Sequence, residues 1–130
     1  MKVQHRQLER QERKAWRVLI VDDHKSFRSC ARVLLESEGY DVVGEAADGV
    51  SAVALAAELE PTVVLLDIQL PDLDGFAVAE RMLAKDPRLQ IVLVSTRDRS
   101  SYGPLIEQSG ACGFLTKGDV SGAELERLLE

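Results

Sequence analysis

The sequence predicts a single α/β domain built on a parallel five-stranded sheet with helices on both faces. Three observations carry that prediction. Short apolar runs recur five times between Arg17 and Thr116. Stretches of helical length and pattern separate them, and strands joined by helices must run parallel. The central runs, VVLL at residues 63–66 and QIVLV at residues 90–94, are apolar at nearly every position, as strands covered on both faces are. A chain of 130 residues has room for one hydrophobic core.

Each element has a local reason. Residues 17–21 (RVLIV) read as the first strand. Residues 25–37 set Phe27, Cys30, Ala31, Leu34 and Leu35 at helical spacing, and Gly39 stops that helix. Residues 41–46 form a second, less apolar strand. Asp48 caps an alanine-rich helix over 49–59, which Pro61 closes. The third strand is expected at 62–66, a helix at 72–84 and the fourth strand at 90–94. A short helix over 101–109 is interrupted by Gly103 and Pro104; its simplest form begins at Pro104, where proline is tolerated. Residues 111–116 read as the fifth strand, and Ser121 caps a last helix running to Leu129. Right-handed crossovers put helices on both faces, and sites in such sheets lie at the strands' carboxyl ends.

Composition narrows the function class. The chain is 45% apolar and 29% charged, ordinary for a globular protein. No apolar run is long enough to span a membrane, and the charged N-terminus lacks the apolar core of a secretory signal. Charge is unevenly divided. Residues 1–17 hold six basic and two acidic side chains, whereas residues 18–130 hold ten basic and twenty acidic ones. An acidic body does not suit nonspecific nucleic-acid binding, so no direct DNA binding is expected. The two cysteines, Cys30 and Cys112, lack metal spacing and lie in apolar segments. Buried free thiols are the expectation, in keeping with a reducing cytoplasm. Residues 1–16 are expected to be a basic extension, solvated or helical against a partner, ahead of a domain over 17–130; His5 alone is no metal site.

The chemistry collects at the strand ends. Asp22 and Asp23 end the first strand, Asp67 the third and Ser95 the fourth, and Lys117 follows the fifth. Singly, each has an ordinary reading: a helix cap, a turn acid, a strand-end hydroxyl, a solvated lysine. Together they put three carboxylates, a hydroxyl and an amine on one edge. Carboxylates so gathered repel one another unless a cation compensates. A hard divalent ion such as Mg2+ takes carboxylate oxygens, with Asp23 and Asp67 as expected direct ligands and Asp22 acting through water. Asp67, ionised at neutral pH, then serves as a nucleophile toward phosphorus, with metal and lysine neutralising the phosphoryl oxygens. The N-termini of helices near Lys25 and Asp72 would add a favourable field.

These residues carry a resemblance. The segments VLIVDDH, VVLLDIQLPDLDG, IVLVSTRD and GACGFLTKGD resemble the receiver domain of bacterial two-component response regulators, from residue 17 to about 129. Spacing is part of the match: 44 positions from Asp23 to Asp67, 28 on to Ser95 and 22 on to Lys117. The resemblance implies the flavodoxin-like (CheY-like) fold, with strand order 2-1-3-4-5. It also implies roles: Asp67 as phosphoacceptor; Asp22, Asp23, Asp67 and the backbone carbonyl of Gln69 as the Mg2+ site; Ser95 as switch hydroxyl; Phe114 as switch aromatic; Lys117 as the phosphoryl-binding amine. Pro71 and Gly75 match the turn after the acceptor, where glycine is free to adopt positive φ. In the family's switch, the phosphoryl group draws Ser95 inward and Phe114 turns from exposed to buried. The surface of the fourth helix, fifth strand and fifth helix changes with it.

The implied partners are a histidine kinase or phosphotransfer protein upstream and a protein target downstream. Pairing through the fourth and fifth helices as a homodimer is left open. Such a domain is a signalling module rather than a dedicated enzyme. The chain departs from the common pattern at Gly118, where a proline is usual, and at Thr96, where a smaller residue is usual; Thr96 is expected to slow hydrolysis of the acyl phosphate. His24 is expected to open the first helix or line the rim. A start at Met1 reads as a stand-alone receiver. The alternatives are a receiver cut from a longer helix-turn-helix regulator and a receiver-like module that works without phosphorylation; the complete residue set argues against the latter. Gln69 stands where a haloacid-dehalogenase-like phosphatase needs a second aspartate, and no phosphate-binding glycine motif follows the first strand.

Overall fold

The computed structural model describes residues 16–130; the basic segment expected ahead of the domain, with His5, lies almost wholly outside them. Five parallel strands stand in the order β2-β1-β3-β4-β5: β1 Arg17–Val21, β2 Asp41–Ala46, β3 Val63–Asp67, β4 Gln90–Ser95 and β5 Gly113–Thr116. The connecting helices are α1 Lys25–Ser37, α2 Gly49–Leu59, α3 Gly75–Lys85, α4 Leu105–Gln108 and α5 Gly122–Leu128.

Side-chain alternation divides the core in two, because successive strand residues face opposite sides. Leu19, Val21, Val64, Leu66, Ile91 and Leu93 meet Ala52 of α2, Val78, Ala79 and Met82 of α3 and Ile106 of α4. Val18, Ile20, Val63, Leu65, Val92 and Val94 meet Ala31 and Leu35 of α1 and Leu125 of α5. Each face therefore buries its own apolar layer, which is why the central runs could not alternate with polar residues.

The strand and helix expectations hold, with corrections at the ends. The third helix begins at Gly75, not Asp72, and its cap is Asp74, whose side chain accepts from the Ala77 N–H. Asp72 instead reaches back to α2, accepting from Gly49 N at 2.7 Å and Val50 N at 3.0 Å. Two free helix-terminal donors, 22 and 23 residues away, outbid its local helix. Gly75 is not at positive φ. Its need is space: a Cβ there would lie 2.6 Å from both Asp67 O and Ile68 Cα. The fifth strand starts at Gly113 rather than residue 111. The segment before it holds a 3₁₀ turn at Arg99–Ser101 and then the four-residue α4, which starts after Pro104.

Both cysteines are exposed, against expectation. Cys30 is on the outer side of α1, whose inward residues are Ala31 and Leu35. Cys112 precedes β5 at the sheet's edge strand.

Candidate functional site

Strand register sets the site. Val21 pairs with Leu66, Asp67 with Val94, and Ser95 with Thr116. Asp22, Asp67, Ser95 and Lys117 thus stand within one rung of a common edge, because four parallel strands stop together. Asp22, Asp67 and Ser95 are the only buried polar or charged side chains among the described residues, at 0%, 3% and 0% exposure. A polar group is buried at such cost only with partners at hand.

Lys117 supplies the principal partner. Its Nζ lies 2.6 Å from Asp22 Oδ2 and 3.3 Å from Asp67 Oδ2. The same ammonium sits 5.0 Å from the centroid of the Phe27 ring, a cation–π contact that helps hold it over the acids. Burial disfavours the charged amine, but Asp22 and Asp67 outweigh it and hold Lys117 above its ordinary pKa. Asp67 is pushed up as well. Burial is the largest cause and the Asp22 charge adds to it, against the Gln69 N–H and Lys117, which pull the other way. The two shifts agree once distances are considered: the amine is nearer Asp22 than Asp67, so Asp67 is left undercompensated.

The other expected residues fall around this centre. Gln69 donates its backbone N–H to Asp67 Oδ1 at 3.0 Å, which fixes the carboxylate's rotamer. Asp23 lies at the exposed rim. His24 is the N-cap residue of α1, as expected of a residue that opens that helix. Its backbone N–H donates to Asp22 Oδ1 at 2.8 Å, and its Nδ1 lies 3.1 Å from carboxylate oxygens of both Asp22 and Asp23. Thr96 is exposed beside Ser95. Lys117 and Gly118 open a 3₁₀ turn, and no cis peptide occurs among the described residues.

A metal fits this pocket. Ligand atoms of Asp22, Asp23, His24 and Asp67 lie within 4.8 Å of one another. Beyond its ion pair with Lys117, the buried Asp22 Oδ2 accepts no hydrogen bond among the described residues. Three carboxylates against one shared amine leave the pocket net negative, and hard oxygen donors suit a hard divalent cation.

Ser95 does not face the acids alone. Its Oγ accepts from the Arg97 N–H at 3.0 Å and lies 2.5 Å from the Tyr102 hydroxyl. Tyr102 in turn packs between Phe76 (centroids 5.7 Å apart) and Phe114 (6.0 Å). Phe114 is half-buried, on the same face as α2, α3 and α4. Sequence reasoning missed Tyr102 and the role of Phe27. Phe27 was legible only as part of an apolar stripe. Tyr102 lies in a segment broken by Gly103 and Pro104, where periodicity says nothing about direction.

A doubly wound sheet with acids and an amine gathered at its carboxyl edge defines a receiver-type α/β domain. The sequence matches the response regulator receiver domain family over residues 18–129, and the chain belongs to that family. It is a signalling receiver of the two-component type. It is 36% identical over 115 residues to the response regulator GacA of Pseudomonas aeruginosa, covering 88% of this chain and 52% of that protein. It is 38% identical over 101 residues to the transcription regulator BvgA of Bordetella pertussis, covering 78% of this chain and 48% of that protein. The chain therefore spans about half the length of these curated relatives. Among solved structures, the receiver domain of the response regulator NarL from Mycobacterium tuberculosis is 35% identical with a TM-score of 0.77, over 87% of this chain and 95% of that one. The chemotaxis protein CheY4 of Vibrio cholerae is 28% identical with a TM-score of 0.80, over 88% and 98%. No helix among the described residues is long and apolar enough to cross a membrane.

Proposed function

We propose that Asp67 accepts a phosphoryl group from the phosphohistidine of a histidine kinase or phosphotransfer protein. The observation that carries this reading is the buried Asp67 carboxylate, held by Gln69 N–H and flanked by Lys117 and Asp22. An Asp67 carboxylate oxygen forms the new bond to phosphorus as the donor's P–N bond breaks, and the imidazole leaves with the bonding pair. Asp23 and Asp67, with Asp22 through water and the Gln69 carbonyl, would hold Mg2+, whose charge offsets that of the phosphoryl oxygens.

The chain's own residues do the rest. Lys117 leaves its ion pair with Asp67 to bind a phosphoryl oxygen, staying close to Asp22. Ser95 donates its hydroxyl to another. Phe114 follows Ser95 toward the core, and the face of α4, β5 and α5 presents the change to a partner protein, a second copy included. Thr96, exposed beside Ser95, narrows the path of the hydrolytic water; Thr96→Ala should shorten the lifetime of the acyl phosphate. The domain over 17–130 works in the cytoplasm, with residues 1–16 as a basic segment ahead of it in the sequence. Because the relatives are about twice as long, a second reading places this domain at the head of a transcription regulator.

The test is intact-mass measurement after incubation with phosphoramidate and Mg2+. One added phosphoryl group is expected, abolished by Asp67→Asn and by chelation of the metal. A gain that survives Asp67→Asn overturns the assignment.

A further inference from the structure

We propose that Tyr102 is the positioning residue of the switch: its phenol holds the Ser95 hydroxyl in the resting state and lets it go when Asp67 is phosphorylated. The inference rests on the phosphoryl-acceptor reading above and adds a residue to it. Ser95 is fully buried, so its hydroxyl needs a partner wherever it points. One lone pair receives the Arg97 N–H, and the Tyr102 hydroxyl lies 2.5 Å away. Phe114 has no hydroxyl and cannot hold Ser95 in this way. The polar hold on the serine and the aromatic that follows it are therefore two side chains here.

Position makes the hold consequential. Tyr102 follows the 3₁₀ turn at Arg99–Ser101 and precedes Gly103, which sits at φ +56. Its carbonyl accepts from Leu105 N, the first residue of α4. Its ring touches Phe76 of α3 and Phe114 of β5. A phenol that loses Ser95 must find water or a new partner, and the residue is only partly buried. Any such movement shifts the aromatic trio and the start of α4 together. Ser95 and the output face are thereby coupled through one short segment, residues 98–104.

A neutral hydrogen bond shifts an equilibrium by a factor of about three to ten once exchange with water is counted. Tyr102→Phe keeps the ring and its packing and removes only the hydroxyl. It should tighten binding of beryllofluoride with Mg2+, a phosphoryl mimic, by about that factor, and speed phosphorylation by phosphoramidate to a similar degree. In a Ser95→Ala background the same substitution should change neither. A general packing role would act equally in both backgrounds. The chain has two tyrosines, Tyr40 and Tyr102. In 3-fluorotyrosine-labelled protein, beryllofluoride should shift the ¹⁹F resonance lost in Tyr102→Phe more than that of Tyr40, which is buried in the core on the opposite face of the sheet. Wild-type phosphorylation with unchanged behaviour of Tyr102→Phe, or an equal effect in Ser95→Ala, overturns the proposal alone. A wild type that takes up no phosphoryl group overturns it together with the acceptor reading.

Discussion

On the β1–β3 side of the sheet, the connections are helices of 13, 11 and 11 residues; β1 and β3 are buried almost end to end, as β4 is, whereas the edge strand β2 is only partly covered. On the β4–β5 side, the connections are a 3₁₀ turn, a helix of four residues and a helix of seven. The first side carries Asp22, Asp23 and Asp67. The second carries Ser95, Tyr102, Phe114 and Lys117. Under the proposed function, the difference is a division of labour. An acceptor has to hold like charges at fixed distances, which takes a stiff frame. A responder has to rearrange at small free-energy cost, and regions with few buried apolar contacts open most easily. Lys117 is the tie between the two, rooted after β5 and paired across to Asp22 and Asp67.

Breaking that tie should have the largest effect. Lys117→Ala leaves Asp22 buried without its cation, and urea unfolding at neutral pH without divalent ions should show a loss of about 3–5 kcal/mol. A loss under about 1 kcal/mol would mean that the acid side is not built around the amine. Next is Gly75→Ala, where the added Cβ meets backbone of the acceptor strand's end. The expected cost is about 2 kcal/mol, with slowed phosphorylation because Asp67 itself must shift. Gly118→Ala, with open space around it, should stay within about 0.5 kcal/mol and serves as the control. On the responsive side, Gly103→Ala meets no atom but is strained by φ +56. It should cost about 1 kcal/mol, read by the same unfolding experiment.

A smaller effect has the opposite sign. Burial raises the pKa of Asp67 in the folded chain, so its protonation favours folding. That contribution is fully present below the unfolded carboxylate pKa and is lost as pH rises through the raised folded value. At neutral pH the ionised group therefore works against the metal-free fold. Asp67→Asn should melt higher than wild type there, and the gap should close as pH falls into the acid range. A gap that widens on acidification would reverse the assignment of burial as the main cause.

How much was legible in advance follows the same division. Strands β1, β3 and β4 announced themselves as apolar runs, and the acids stood at their ends, so spacing alone gathered Asp22, Asp67, Ser95 and Lys117. Asp72 was read as the start of the third helix because its true partners, Gly49 and Val50, are distant in sequence. Gly75 was read as a matter of backbone freedom when the need is close approach to Asp67 O. Cys30 sat in an apolar stripe that turned out narrower than the helix face it seemed to cover. Residues 98–110 gave least, since Gly103 and Pro104 erase periodicity, and the Tyr102–Ser95 contact depends on a loop path that no local pattern encodes.

The placement of Lys117 also orders events during synthesis. Asp22, Asp23 and Asp67 leave the ribosome well before β5, and domains generally fold as units as the chain emerges. A nascent chain that ends after β4 can pair β1 with β2 and β3, yet it must bury Asp22 without the Lys117 ammonium. The last strand therefore delivers the counter-charge along with the final edge of the sheet. Completion of the fold and electrical completion of the site are one step, so a truncated chain should not persist as a competent acceptor.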